Sequence, residues 1–411
     1  MADVNMNIAV GISGVAAVVG AIKGIAAAFG KGGLVGGLEA VGVAAGAAAI
    51  GLGVAAVNAS SQFQQAMLLN EAHAGLAASQ VNNVTSALLA MGPAVGQGPV
   101  QLAQALYPIL SGFSGITDQA IKTQVSLVEL KDAAMSVAGS TTSVVDVSRA
   151  ATAAFNALGL ATNDTATNTS RMNNLFDTMN ATVSAGNMQW SNYVNVVGKL
   201  SVAARGAGVS FIEENSALAD LTNSGQSAQL AADHLSNTFT ALYLKVDTTA
   251  KNAHKLGLAF DETKYKSFDL AGKINYLTQI THGNTTEVLK LLNGNKTALE
   301  TYVALSKTIG SYQSNLQALG HAQGATAQAF QTASQGFNFS MQQLQAAGQS
   351  LLITIGAWLL PIFTRFTNVL ADGVGHFTAW LQSGHAFNDA LTLTGKYAHD
   401  SEVTGGDGMK L

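Results

Sequence analysis

From Ser143 to Leu244 the chain reads as a train of short amphipathic helices, broken at nearly regular glycines and carrying few charges. One unit of it is Gly206-Ala207-Gly208-Val209-Ser210-Phe211-Ile212-Glu213-Glu214. Ser210 and Glu213 have the spacing of a capping box, in which a hydroxyl accepts from a first-turn amide and a carboxylate reaches back. Leu218 and Leu221 continue the face of Phe211, and Gly225 ends that helix. Ser143 with Asp146 gives a similar start, after which Val147, Ala151, Ala154, Phe155 and Leu158 share one face and Gly159 supplies the stop. Thr117-Asp118 opens another helix, with Ile121, Val125, Val128 and Ala133 on one side and Gly139 at its end. The stripes predict helices packed on sister helices, with Val147, Phe155, Leu158, Phe211, Leu218 and Leu221 as core positions. The expected fold is mainly α: an elongated array of short amphipathic helices and helical hairpins.

Composition explains why an elongated or assembly-dependent chain is expected. Of 411 residues 48% are apolar, yet only 7% are aromatic and 11% charged, where an ordinary chain is nearer one quarter charged. The apolar fraction is mostly Ala, Val, Leu and Gly, which pack helices closely but build thin cores. Four prolines leave long stretches free to be helical. The missing charge is replaced by Ser, Thr, Asn and Gln.

Four regions follow. Residues 1–57 are an Ala/Gly-rich helical block, 58–340 a mixed helical and polar region, 341–381 a second apolar helix, and 382–411 a flexible tail. The first block holds the candidate membrane segment, marked by Leu34, Val41, Val43, Ile50, Leu52, Val54 and Val57. Ala40 to Val57 is unbroken Ala, Val, Gly, Ile and Leu, and with Leu34 to Leu38 it reaches the ~20 residues a span needs. Glu39 then falls inside it, at a cost unless paired. Gly20 with Gly24 and Gly42 with Gly46 allow close helix approach. Conditional membrane insertion and plain packing of small-residue helices both fit. The later apolar stretch, Leu351 to Phe363, is shorter than a span, is interrupted by Pro361 and stopped by Arg365, and offers Trp358 as an anchor.

Several functional classes lose ground. A net charge of −4 with no basic cluster argues against a sequence-specific nucleic-acid reader. The absence of cysteine excludes disulfides, thiolate metal sites and cysteine nucleophiles. Gly51-Leu52-Gly53-Val54-Ala55-Ala56, with Glu71 beyond it, matches a lenient dinucleotide fingerprint but sits in an Ala-rich helical run without the strand that motif needs. Gly294-Asn295-Lys296-Thr297 lacks the glycine-rich cradle of a phosphate loop. The histidines, His73, His234, His254, His282, His321, His376, His385 and His399, include no i, i+4 pair for zinc. Glu213 and Glu214 begin a helix, where the dipole favours negative charge. No catalytic residue, cofactor or metal is expected. Between Leu256 and Leu270 the helical pattern lapses, suggesting a small hairpin or loop. The mixed charges around it (Lys245, Lys251, Lys255, Asp261, Glu262, Lys264, Lys266) read as a solvated face.

An ordered series of short motifs carries a family resemblance. Asn156-Ala157-Leu158-Gly159-Leu160 is followed by Met172 and Leu175-Phe176, then Trp190, Tyr193 and Val197, then Ala203-Ala204 and Gly208-Val209-Ser210. Ala217-Leu218-Ala219, Gly225-Gln226-Ser227 and Leu230-Ala231-Ala232 come next, with Leu256-Gly257-Leu258, Leu291-Leu292-Asn293-Gly294-Asn295 and Gly348-Gln349-Ser350-Leu351 further on. In this order and spacing, over roughly residues 58–381, the chain resembles the core of phage tail tape measure proteins. The resemblance implies a structural, non-enzymatic protein of the virion tail that sets tube length, with apolar segments assisting DNA passage through the host inner membrane on infection. Implied partners are the tail tube protein, tail assembly chaperones, tail-tip or baseplate proteins and further copies of the chain. Unlike the family, the chain is short and lacks a long rod after the core, which suggests a short tail or a truncated or prophage-derived product. The rival reading is a helical membrane-perturbing or pore-forming protein, which accounts for residues 1–57 but not for the ordered middle.

Overall fold

The computed structural model describes residues 43–357, with side chains from residue 55 onward. Among the described residues every regular element is helical and there is no strand. In chain order the helices are α1 (Val43–Ala74), a single 3-10 turn, α2 (Val81–Val95), α3 (Pro99–Gly112), α4 (Gln119–Ser136), α5 (Val144–Ala157), α6 (Thr165–Ala185), α7 (Trp190–Tyr193), α8 (Val197–Ala207) and α9 (Phe211–Asn223). After α10 (Ala228–Phe239) the chain passes through one π-helical turn, Thr240–Leu244. There follow α11 (Val246–Lys255), α12 (Glu262–Lys266), α13 (Leu270–Ile280), α14 (Thr285–Leu291), α15 (Lys296–Lys307), α16 (Ile309–Gly320) and α17 (Ala325–Ala333), then α18 over residues 337–357.

Local chemistry sets most of these boundaries. Asp118 accepts from the amides of Ala120 and Ile121 at the start of α4, and Ser143 accepts from Val145 at the start of α5. Asp146 leaves the capping role to Ser143 and instead reaches Arg149 at 3.7 Å. Ser210 and Glu213 form a reciprocal capping box on α9. Each side-chain oxygen satisfies a first-turn N–H that has no partner inside the helix. At the other ends, Gly159 and Gly225 adopt φ of +64° and +97°, a conformation that costs glycine nothing and other residues more.

The chain divides into two units, Gln62–Leu351 and a second made of residues 1–61 with 352–411. In the larger unit, α9 is the most enclosed element: Glu214 through Leu221 are buried without a break, because α6, α8, α10 and α16 all pack on it. An amphipathic stripe predicts one wet face, so tertiary packing has overridden the pattern here. Around this centre α3 packs on α4 and α5, α5 on α8, and α10 on α15. Val147, Phe155, Leu218 and Leu221 are fully buried, whereas Leu158 and Phe211 sit half-buried at the rim.

The stretch between Leu256 and Leu270 forms no hairpin. Asp261 caps the short helix α12 by accepting from the Lys264 amide, and Tyr265 is buried within it. Phe260, Tyr265, Phe268 and Tyr276 pack ring to ring, with centroids 5.0 to 5.7 Å apart. The segment that lacks a helical stripe is thus held by aromatic contacts to Tyr276 of α13. Within the smaller unit, a Cβ placed at Gly356 would fall 2.0 Å from the Ala56 carbonyl oxygen, so close backbone approach requires glycine there.

Candidate functional site: polar groups inside the helical seams

The larger unit buries an unusual number of polar side chains between its helices, and three groupings stand out. The first lies between α4 and α5. Glu129 is fully buried, with the Thr152 hydroxyl 2.6 Å from Oε1 and no partner for Oε2. Burial pushes its carboxyl up to about 8, opposed by the Thr152 hydroxyl and reinforced by Asp132. Asp132, one turn on, is pushed up to about 7, mainly by burial, with Lys131 opposing and Asp177 adding to the rise. Both shifts follow from the cost of a charge in a medium that solvates it poorly.

The second grouping surrounds α9. Ser201 of α8 donates to Glu214 Oε1 at 2.5 Å, and Tyr193 donates to Asn215 Oδ1 at 2.6 Å. Glu214 Oε2 has no partner, and burial holds this carboxyl well above the usual range. Burial also raises the Tyr193 phenol, and the nearby Glu214 adds to that rise. Further along α9, Asp220 accepts from the Thr308 hydroxyl, tying α9 to the α15–α16 junction. Lys273 of α13 is 1% exposed and lies 4.6 and 4.5 Å from the ring centroids of Tyr243 and Tyr265, donating to the Tyr265 carbonyl at 2.6 Å. Burial lowers its amine to about 8, although Asp269 and Glu213 pull the other way.

The third grouping joins α4, α6 and α17. Asp177 accepts from the amides of Gly324 and Thr326 at 2.7 and 2.9 Å. Asn180 donates to Ser136 Oγ at 2.8 Å and to Thr326 Oγ1 at 3.0 Å. As arranged, these groups exchange hydrogen bonds across seams where chains usually place hydrocarbon.

Sequence reading missed all three. Glu213 does cap its helix, but Glu214 beside it is an enclosed carboxyl held by α8, which a dipole argument does not supply. Gly51 to Ala56 lie inside α1, and Asn295 caps α15 by accepting from Ala298. Among the described residues no group of three or more His, Asp or Glu gathers as a metal set. His376, His385 and His399 lie outside the described residues.

Of the candidate membrane segment, Leu34 and Val41 lie outside the described residues. Val43, Ile50, Leu52 and Val54 fall on α1 where side chains are not described, and Val57 is half-buried. Among the described residues no helix is long and apolar enough to cross a membrane, so the transmembrane expectation finds no support there. Trp358 also lies outside them.

With this architecture in view, the comparison with known families is informative. Residues 85–294 match the family model of phage-related minor tail proteins. That is more than half of the 411 residues, and the chain belongs to this family. It is therefore a phage tail protein with a structural role. No curated protein matches the chain, and no solved structure does.

Proposed function

We propose that the chain is the tape measure of its tail, a helical protein whose extent sets how far the tail tube polymerises. The observation that supports this reading is the position of the motif series: most of it, from Asn156 to Gly294, falls on the stretch that matches the tail-protein family. Its partners are then the tail tube protein, assembly chaperones, tail-tip or baseplate proteins and other copies of the chain. The role is mechanical and assigns no catalysis to the buried carboxyls.

Physical length constrains the mechanism. A helix rises ~1.5 Å per residue, so 411 residues span at most ~600 Å if wholly extended. The described helices run from 4 to 32 residues and pack on one another, so the packed unit is far shorter than that limit. A measuring state must be an opened one. The rival reading, a membrane-perturbing helical protein, lacks support among the described residues, where no helix is suited to spanning a bilayer; we therefore leave membrane passage out of the proposal.

The test is an in-frame insertion of about 20 helix-forming residues in the turn at 321–324, with tails measured by electron microscopy. A ruler role lengthens them by up to ~30 Å. Tails of unchanged length from a stably incorporated protein would refute it.

A further inference from the structure

Helix α17 is docked differently from the rest of the larger unit. Of its nine residues only Thr326 is buried. It packs on α4 and α6, and its hold is the third polar grouping: two amides to Asp177, and the Thr326 hydroxyl to Asn180. Beside Thr326 only Ala325, Phe330 and Ala333 are half-buried, and the other residues are exposed. Ala329 borders a cleft lined by Met135, Ser136, Asn180, Met188 and Trp190, and the Ala333 methyl sits 3.7 Å from where a Cβ on Gly139 would lie. Its one aromatic contact is edge-on, from the half-buried Phe330 to the buried ring of Phe339 on α18 at 5.4 Å.

Two further facts concern its attachment. Turns at 321–324 and 334–336 flank it, the first ending in Gly324 at φ +84° and the second in Gly336. From Thr308 to Thr364 the sequence contains no Asp, Glu, Lys or Arg, so no ion pair of its own ties this helix down. Separating α17 from α4 and α6 uncovers little hydrocarbon. The groups it does uncover, a carboxylate, an amide and a hydroxyl, are ones that water solvates well. Local opening is easiest where buried apolar contact is scarcest. By contrast, α9 cannot leave without exposing eight consecutive buried residues.

We propose that α17 is a releasable strap: it swings off α4 and α6 as one piece about its two glycine-bearing turns while the rest of the larger unit stays folded. Release opens the seat formed by Ser136, Asp177 and Asn180 at the rim of the cleft beside Trp190. This holds whether or not the chain measures tail length.

Hydrogen exchange followed by mass spectrometry on the full chain tests the strap. Amides of 328–333 exchange about 100-fold or more faster than those of α9 under native conditions. Asp177→Asn keeps the side-chain shape but leaves one acceptor oxygen, so one of the amides of Gly324 and Thr326 loses its partner to an NH2 group, and α17 exchange speeds a further ~10-fold without altering α9. Should that variant fail to fold, Thr326→Ala, which removes only the Asn180 contact, gives a smaller rise confined to the same peptide. Exchange of α17 in a single step with α6 and α9, or variants that speed all helices alike, would overturn the proposal.

Discussion

Replacing Glu129 by glutamine isolates the energetic consequence of a carboxyl sealed between α4 and α5. Its ordinary value of 4.5 rises to about 8 on folding. Between those limits the folded protein holds a proton that the unfolded chain has released, so stability falls as pH rises through the window. Each pH unit costs about 1.36 kcal/mol, so by pH 8 the loss amounts to about 5 kcal/mol. Below pH 4.5 both states are protonated and the residue contributes nothing to the slope. Glutamine abolishes the titration, but its amide places two N–H donors where Oε2 now has no partner. That adds a pH-independent cost of about 1–3 kcal/mol. The variant is therefore less stable than the wild type near pH 4.5 and more stable at pH 8, with the curves crossing near about pH 6. Urea unfolding followed by helical circular dichroism at four pH values between 4.5 and 8 reads this directly. Parallel curves for the two proteins would refute the reasoning, because they would mean that Glu129 titrates alike in both states.

Three further outcomes are expected. Lys273→Met removes an amine that burial holds at about 8; wild-type stability rises between pH 8 and 10.5, where only the unfolded chain keeps the proton, and the variant lacks that rise in denaturant titrations. Gly112→Ala places a methyl 2.7 Å from Thr152 Cγ2 at the close approach of α3 and α5, which costs about 1–3 kcal/mol in urea unfolding and disturbs the hydroxyl that serves Glu129. Ser210→Ala removes one half of the capping box on α9 and lowers stability by about 1 kcal/mol, whereas Ser224→Ala, just past the end of the same helix, serves as a control that leaves the capping box intact.

Sequence revealed the features that depend on neighbours a few residues away. Asp118, Ser143 and Ser210 announce helix starts because a cap and its amides lie within three positions. Gly159 and Gly225 announce stops because their backbone conformation is itself the signal. What stayed hidden depends on distant packing. Glu213 and Glu214 share one first turn, and only the arrival of Ser201 and Tyr193 makes the second an enclosed acid. Asp177 finds its amides about 150 residues along the chain, a pairing no local pattern encodes. Near residue 260 the lapse of the apolar helical pattern misled, because Asp261 there caps a short helix too brief to show a periodic face.

The same chemistry explains how so uncharged and polar a chain builds a core at all. Ser126, Ser136, Thr178, Thr182, Ser216, Thr238 and Thr281 each donate a hydroxyl to the carbonyl four residues earlier in their own helix, at 2.6 to 2.9 Å. A hydroxyl satisfied within its helix needs no partner across the seam and is buried without the penalty of a lost hydrogen bond. Such a helix carries its own hydrogen bonding from one environment to another, so separating two of them leaves few new polar groups unpaired. Where the contact is alanine with a few polar groups that water can take over, as along α17, the helix is the one expected to part first; where Leu218, Leu221 and Phe155 fill the seam, it is not. A tail protein that folds compactly and then extends would place its openings at seams of the first kind. If the chain works by extending, as proposed above, the run from Thr308 to Thr364, free of Asp, Glu, Lys and Arg and carrying the α17 strap, is where extension would start.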